Sequence, residues 1–172
     1  MNEHRTDLNT DKQTEQLWDL IKDIRFAMFT TRHTNGHLHS RPMTTQNSKL
    51  DEAGSLWFFM SRRSEPVNDI ADDATVNVAY ADPDKDAYIS VSGTASVVED
   101  LAKKEQLWNK AAEAWFPQGV TDPDLALVRV EIQHANYWDV KASKLVQLIQ
   151  MAKAVITGKD LDSTTIGIAY RD

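Results

Sequence analysis

Apolar residues recur with two periods along this chain, and the switches between them mark out its elements. Residues 1–9 are polar and read as a frayed end. From Thr10 to Asp23 the period is helical. Leu17, Leu20, Ile21 and Ile24 share one face, Trp18 widens it, and Thr10 or Asp11 can cap it. Arg25 to Arg32 alternates as a first strand, with Phe26, Met28 and Thr30 on one face and Ala27, Phe29 and Thr31 on the other. Asn35-Gly36 predicts a hairpin turn, because both residue types tolerate positive φ. A second strand then runs from His37 to about Gln46, a loop from Lys49 to Gly54, and a third strand from Ser55 to Ser61.

The pattern continues with a short helix, Glu65 to Asp72, that turns Val67 and Ile70 inward. Val76, Val78 and Tyr80 alternate in a fourth strand, Thr75 to Asp82. In the fifth, Ile89, Val91, Gly93, Ala95 and Val97 alternate with Ser and Thr, the mark of a half-buried antiparallel strand. Gly93 in its middle predicts a bend, a bulge or a close approach by another group. Asp100 caps a predicted helix to about Ala114, with Leu101, Trp108, Ala112 and Trp115 on one face. Leu125 to Ile132 reads as a sixth strand, Tyr137 to Val140 as a short seventh, and Ser143 to Ile156 as an amphipathic helix. Consecutive short strands with hairpin turns and few helices predict a mainly β fold, an antiparallel barrel with peripheral helices. One domain is expected over residues 1–157, followed by a polar tail over 158–172. No G-x-G-x-x-G occurs, and long βαβ units are absent, so a doubly wound nucleotide fold is not expected.

Charge narrows the partners. Among 172 residues, 26 acids outnumber 19 bases, for a net charge of −7. A nucleic-acid backbone wants a basic stripe, and the longest basic run here is Arg62-Arg63. Cysteine is absent, which excludes disulfides, thiolate metal sites and thiol nucleophiles. Without a signal-like or bilayer-length apolar run, the expected location is the cytosol, away from membranes.

The chemistry concentrates between His37 and Ile70. Arg41 on the second strand, and Ser61-Arg62-Arg63-Ser64 between the third strand and a helix start, gather hydroxyls and guanidinium groups as an anion or phosphate site would. The aromatic strand Leu56-Trp57-Phe58-Phe59-Met60 beside them suits a flat ligand. Ser64 also reads as a simple helix cap, which is compatible with anion binding. His33, His37 and His39 lie close around the hairpin, but no carboxylate or thiolate near them in sequence completes a metal set, so a polar rim is expected and no metal. Trp18 and Trp108 read as core, Trp57 as core or ligand contact, and Trp115-Phe116 as cleft mouth or core. The Asp-Pro-Asp runs at 82–84 and 122–124 are turn chemistry, not paired catalytic carboxylates.

In their order, the helix, the Asn-Gly hairpin, the Ser40-Arg41-Pro42-Met43 strand, the aromatic strand and the Ser-Arg-Arg-Ser turn resemble the pyridoxamine 5′-phosphate oxidase-like family of FMN-binding split barrels. Val91-Ser92-Gly93-Thr94-Ala95, Trp115-Phe116-Pro117 and Tyr137-Trp138-Asp139 resemble its general stress protein 26 branch, and the resemblance covers roughly residues 10–140. It implies a homodimer that holds FMN, or FAD through the shared phosphate, at two sites between the subunits. It implies that Arg41, Pro42, Met43, Thr44 and Thr45 lie along the flavin, with Arg41 at the phosphate and backbone near Met43 and Thr44 at the ring edge. Phe59, Met60, Ser61 and Arg62 would line the ring and ribityl side, Ser64 would meet the phosphate, and Trp138 would close the pocket from its own chain or the partner's.

Two departures qualify what the resemblance implies. Many relatives carry a lysine two residues after the serine equivalent to Ser64, where this chain has Pro66 preceded by Glu65. A carboxylate repels a phosphate and proline offers no donor. The Arg-x-His element of true pyridoxamine phosphate oxidases is missing from the tail Ile166 to Asp172, so that activity is not expected. The remaining expectations are a flavin-dependent oxidoreductase, a flavin-binding sensor or store without turnover, or a split barrel whose cleft takes another aromatic anion.

Overall fold

The computed structural model of the chain describes residues 11–51 and 54–139. Helix α1 (Asp11–Ile21) precedes the hairpin of β1 (Ala27–Arg32) and β2 (Leu38–Met43). Strand β3 (Ser55–Ser61) leads into α2 (Glu65–Asp72), and β4 (Thr75–Asp82) and β5 (Ala87–Val98) form a second hairpin. Two short helices, α3 (Leu101–Leu107) and α4 (Lys110–Glu113), and a 3₁₀ turn lead to β6 (Leu125–Asp139). The six strands make one antiparallel sheet in the order β2-β1-β4-β5-β6-β3, curled into a half-barrel. The predicted Ser143–Ile156 helix and the tail lie outside the described residues.

The hairpin forms at the predicted residues, with Gly36 alone in the left-handed region at φ +85° and the Asn35 side chain accepting from the His37 amide. Its ladder pairs Phe29 with Arg41 and Thr31 with His39, so these four share a face. Pairing stops at Met43, short of the expected Gln46. The chain then crosses toward β3, where the Gln46 amide donates to the Trp57 carbonyl, and the Asn47 side chain accepts from the Trp57 amide and donates to the Ser55 carbonyl. These few bonds link the two edges of the sheet.

Burial explains why β3 reads as a continuous apolar run. Its even residues Leu56, Phe58 and Met60 join the main core with Phe29, Val78, Val91 and Val128. Its odd residues Trp57 and Phe59 join a second cluster with Leu107, Phe116, Leu125 and Leu127 beneath α3 and α4. Phe29 and Phe58 meet edge to face with centroids 5.1 Å apart, a contact worth about 1 kcal/mol beyond its buried area.

Two expected boundaries are corrected. The sixth and seventh strands are one continuous strand, β6. Ser92 pairs with His134 and Gly93 with Ile132, leaving Gln133 as an extra residue in a bulge. The bulge shifts the inward positions from even (Val130, Ile132) to odd (Ala135), so the alternation breaks where the strand does not. Gly93 is needed there, because a Cβ would collide with the Glu131 carbonyl oxygen. The helix expected over Asp100 to Ala114 is divided. Trp108 turns extended, and Asn109 starts α4 by accepting from the amides of Ala111 and Ala112. Leu101 and Trp115 consequently stand exposed rather than sharing an inward face with Ala112.

Candidate functional site

Where β2 ends, a cleft of about 260 Å³ opens between it and the α4 region. Pro42, Met43, Thr44 and Gln46 form one side, Phe59 lines it from β3, and Ala111, Ala112, Trp115 and Phe116 close the other, with Phe26 at the margin. Its volume falls just below the roughly 300–1,000 Å³ of whole-ligand pockets, so it suits the flat part of a ligand. Two of its aromatic rings are left exposed: Trp115 at 81 %, and Phe26 at 53 % with the Arg25 guanidinium 4.8 Å above its ring. Covering such rings with a planar partner gains roughly 25 cal/mol per Å² of apolar surface. None of these lining residues titrates in the ordinary pH range.

One step back along β2 the chemistry reverses. Arg41 points to the same face as Thr31 and is mostly buried, and its Nη1 donates to Thr31 Oγ1 at 2.8 Å. Helix α2 lays two carboxylates beside it, Glu65 and Asp69, one turn apart and therefore on one helical face. Arg41 Nη2 lies 3.7 Å from Glu65 Oε2 and 3.9 Å from Asp69 Oδ2. Thr31 Oγ1 donates to Asp69 Oδ2 at 2.6 Å. The inner oxygens face imidazoles: His33 Nδ1 is 2.8 Å from Asp69 Oδ1, and His39 Nδ1 is 2.7 Å from Glu65 Oε1. The rings of His33 and His39 stack with centroids 5.4 Å apart and planes within 5°. Burial pushes the Asp69 carboxyl up, but the hydrogen bonds from Thr31 and His33 and the charges of His33 and Arg41 outweigh it and hold the group below the usual carboxylate range.

The expectation that no carboxylate completes a set with the hairpin histidines is therefore corrected. Glu65 and Asp69 are distant in sequence and arrive through α2, while His37 stands exposed at the turn. The i, i+4 spacing of the two acids is the signal that sequence reading missed.

The other anticipated residues fall around these two features. Ser64 caps α2 without a side-chain cap bond, and its Oγ is buried with no partner, the vacant polar atom expected where an anion would dock. Arg62 is committed to Glu99 at 2.7 Å, and Arg63 to Asp124 at 3.1 Å. The Ser61 hydroxyl accepts from the Arg63 amide within the same turn. Thr45 turns away from the cleft lining to share a hydrogen bond with the buried Tyr80 hydroxyl, whose pKa burial pushes up. Met60 points into the main core, opposite to Phe59. Trp138 pairs with Tyr88 across β5 and β6 and does not line the cleft. Trp57 and Phe116 pack in the second cluster, and Phe116 also lines the cleft, so it is both core and cleft wall. No helix among the described residues is long and apolar enough to cross a membrane.

Known proteins share this framework. The chain is 28 % identical over 166 residues to Protein bli-3 of Neurospora crassa, covering 90 % of this chain and 78 % of that one. It is 26 % identical over 127 residues to General stress protein 26 of Bacillus subtilis, covering 72 % and 86 %. Among solved structures, the general stress FMN/FAD binding protein of Xanthomonas citri superposes with a TM-score of 0.63 at 31 % identity, over 76 % of this chain and 90 % of that one. The half-barrel matches such split-barrel neighbours. Residues 12–162 fit the family described as pyridoxamine 5′-phosphate oxidase like, and the chain belongs to that family.

Proposed function

We propose that this chain is a flavin-binding protein of the general stress type. The flavin ring lies in the cleft at the end of β2, and its phosphate end lies toward Arg41 and Ser64. The observation that carries this reading is the cleft itself: Pro42, Met43, Thr44 and Phe59, all expected along a flavin, converge on one apolar space of about 260 Å³. The vacant Ser64 Oγ at the α2 start supports a phosphate beside it. The Xanthomonas citri relative, described as FMN/FAD binding, supports the same class of ligand.

A bound flavin would supply redox chemistry from its own ring. This chain's contribution is to bind and orient. Phe59, Trp115 and Phe116 exclude water from the ring, and backbone at Met43 and Thr44 faces its edge. Arg41 meets the phosphate charge once Glu65 gives way. A cleft free of titratable side chains favours binding over protein-driven acid–base catalysis, so an oxidoreductase role rests on the flavin alone. FMN is the expected form, and FAD fits if its adenosine stays outside a cleft of this size.

The working unit we propose is a cytosolic homodimer. The outward residues Phe26, just before β1, and Met28 and Leu38 of the β1–β2 hairpin are 53 %, 43 % and 66 % exposed, and they offer an apolar seam to a second copy. Trp138 closes the ring site from the partner in this arrangement.

The test is direct. The purified protein is expected to carry or take up a yellow chromophore and to bind FMN more tightly than riboflavin in a fluorescence titration. Failure to bind any flavin rejects the proposal. Equal affinity for FMN and riboflavin rejects the phosphate position alone. Sustained NADH or NADPH oxidation by the loaded protein separates an enzyme from a binding module.

A further inference from the structure

We propose that His33, Glu65 and Asp69 form a binding site for a divalent transition-metal ion such as zinc, built between the β1–β2 hairpin and helix α2 and separate from the apolar cleft. One donor atom from each of the three residues lies within 4.8 Å of the others. His33 Nδ1 stands between both acids, 2.8 Å from Asp69 Oδ1 and 3.4 Å from Glu65 Oε1. Zinc bonds of about 2.0–2.1 Å to nitrogen and oxygen set neighbouring donors roughly 3.3 Å apart around a tetrahedron. The two His33–carboxylate spacings lie within about half an ångström of that value, and the two acids, within 4.8 Å of each other, complete the set by drawing together.

The outer sides of both carboxylates are already occupied in the manner of a metal site. Asp69 Oδ2 accepts from Thr31 Oγ1, and Arg41 lies against Asp69 Oδ2 and Glu65 Oε2. The inner oxygens, Oδ1 and Oε1, face only imidazole nitrogens. Outer partners of this kind orient ligands and are worth about 10–100-fold in metal affinity. His39 has a positioning role, since its Nδ1 holds Glu65 Oε1 at 2.7 Å and its ring stacks on His33. Charge also favours a cation. Two carboxylates face one guanidinium in a partly buried space. Nitrogen and oxygen donors without sulfur suit zinc and its first-row neighbours rather than thiophilic ions.

The experiment uses the full-length protein, stripped with chelator and without added flavin, so its outcome does not depend on the proposed cofactor. Cobalt(II) is titrated while visible d–d absorption is followed, and zinc is titrated by calorimetry. One equivalent of saturable binding is expected, with zinc displacing cobalt. His33→Ala and Glu65→Gln should each weaken it at least 100-fold, and His39→Ala about 10-fold. His134→Ala, which alters an exposed histidine elsewhere, should change nothing. Circular dichroism confirms that each variant is folded, and the exposed Glu65 gives a variant that keeps the core intact if His33→Ala does not fold. Absence of saturable binding, or binding that survives both His33→Ala and Glu65→Gln, overturns the site.

Discussion

The two halves of β2 teach opposite lessons about readiness for a ligand. From Met43 onward the chain lines an apolar cleft two of whose aromatic rings are left exposed and whose lining has no charge to neutralise. Before it, His39 and Arg41 stand in a polar cluster where nearly every group already has a partner. The cleft gains by being covered. The cluster must exchange one partner for another, because the arginine expected at a phosphate lies against Glu65 and Asp69. In the proposed arrangement, surface burial would favour a flavin at its ring end and competition would oppose it at its phosphate end. The Ser64 hydroxyl is the exception there, buried and without a partner.

The largest effect should come from breaking the cluster. Asp69 is 2 % exposed and satisfies Thr31, His33 and Arg41 together. Asp69→Ala is expected to cost about 3 kcal/mol in urea unfolding, because it strands partly buried donors. The same residue has a pH signature. Folding lowers its pKa, so its stabilisation is complete above the ordinary value of 3.8 and fades as pH falls through the lowered one. Asp69→Asn should therefore flatten the loss of stability below about pH 4. An unchanged acid profile would remove Asp69 from the account.

Next in size is Arg41→Ala, expected to weaken FMN roughly 30-fold and riboflavin little, as loss of a charge-assisted hydrogen bond does. Equal losses for both flavins would erase the distinction between the two halves of β2. Trp115→Ala tests the cleft. Affinity for FMN and riboflavin should fall together by about 5–10-fold, while stability stays within roughly 0.5 kcal/mol, because the ring is 81 % exposed. The smallest effect has the opposite sign. Glu65→Gln should strengthen FMN binding about threefold and leave riboflavin unchanged, since it removes an exposed competitor for Arg41. No gain would mean that Glu65 does not oppose the phosphate.

Local chemistry made much of this legible before any coordinates. Alternation located the strands, Asn35-Gly36 the hairpin, and Asp100 a helix start, where its side chain accepts from the Lys103 amide. The resemblance sets Pro42, Met43, Thr44 and Phe59 along one ligand, and the four line one cleft. What escaped depends on three-dimensional registration. The bulge at Gln133 reverses the parity of β6, so a real strand looks interrupted. Asn109, a good helix cap in the middle of a helical period, divides α3 from α4 and turns Trp115 outward. The meeting of Glu65 and Asp69 with the hairpin histidines requires knowing which face of α2 packs on β1. Met60 turned to the core because a strand shows its two faces alternately, and Thr45, past the end of β2, is held by the buried Tyr80 hydroxyl.

The strand order has a consequence for how the chain is made. Among the described residues, strand β3 sits at the sheet edge and pairs only with β6, although α2, β4, β5, α3 and α4 lie between them in sequence. During synthesis β3 leaves the ribosome with six consecutive buried positions, Ser55 to Met60, and no strand to receive them. Contacts of such long sequence separation form late and slow folding, and an unpaired apolar edge invites association between nascent chains. A chain arrested before Leu125 is the species most in need of a chaperone.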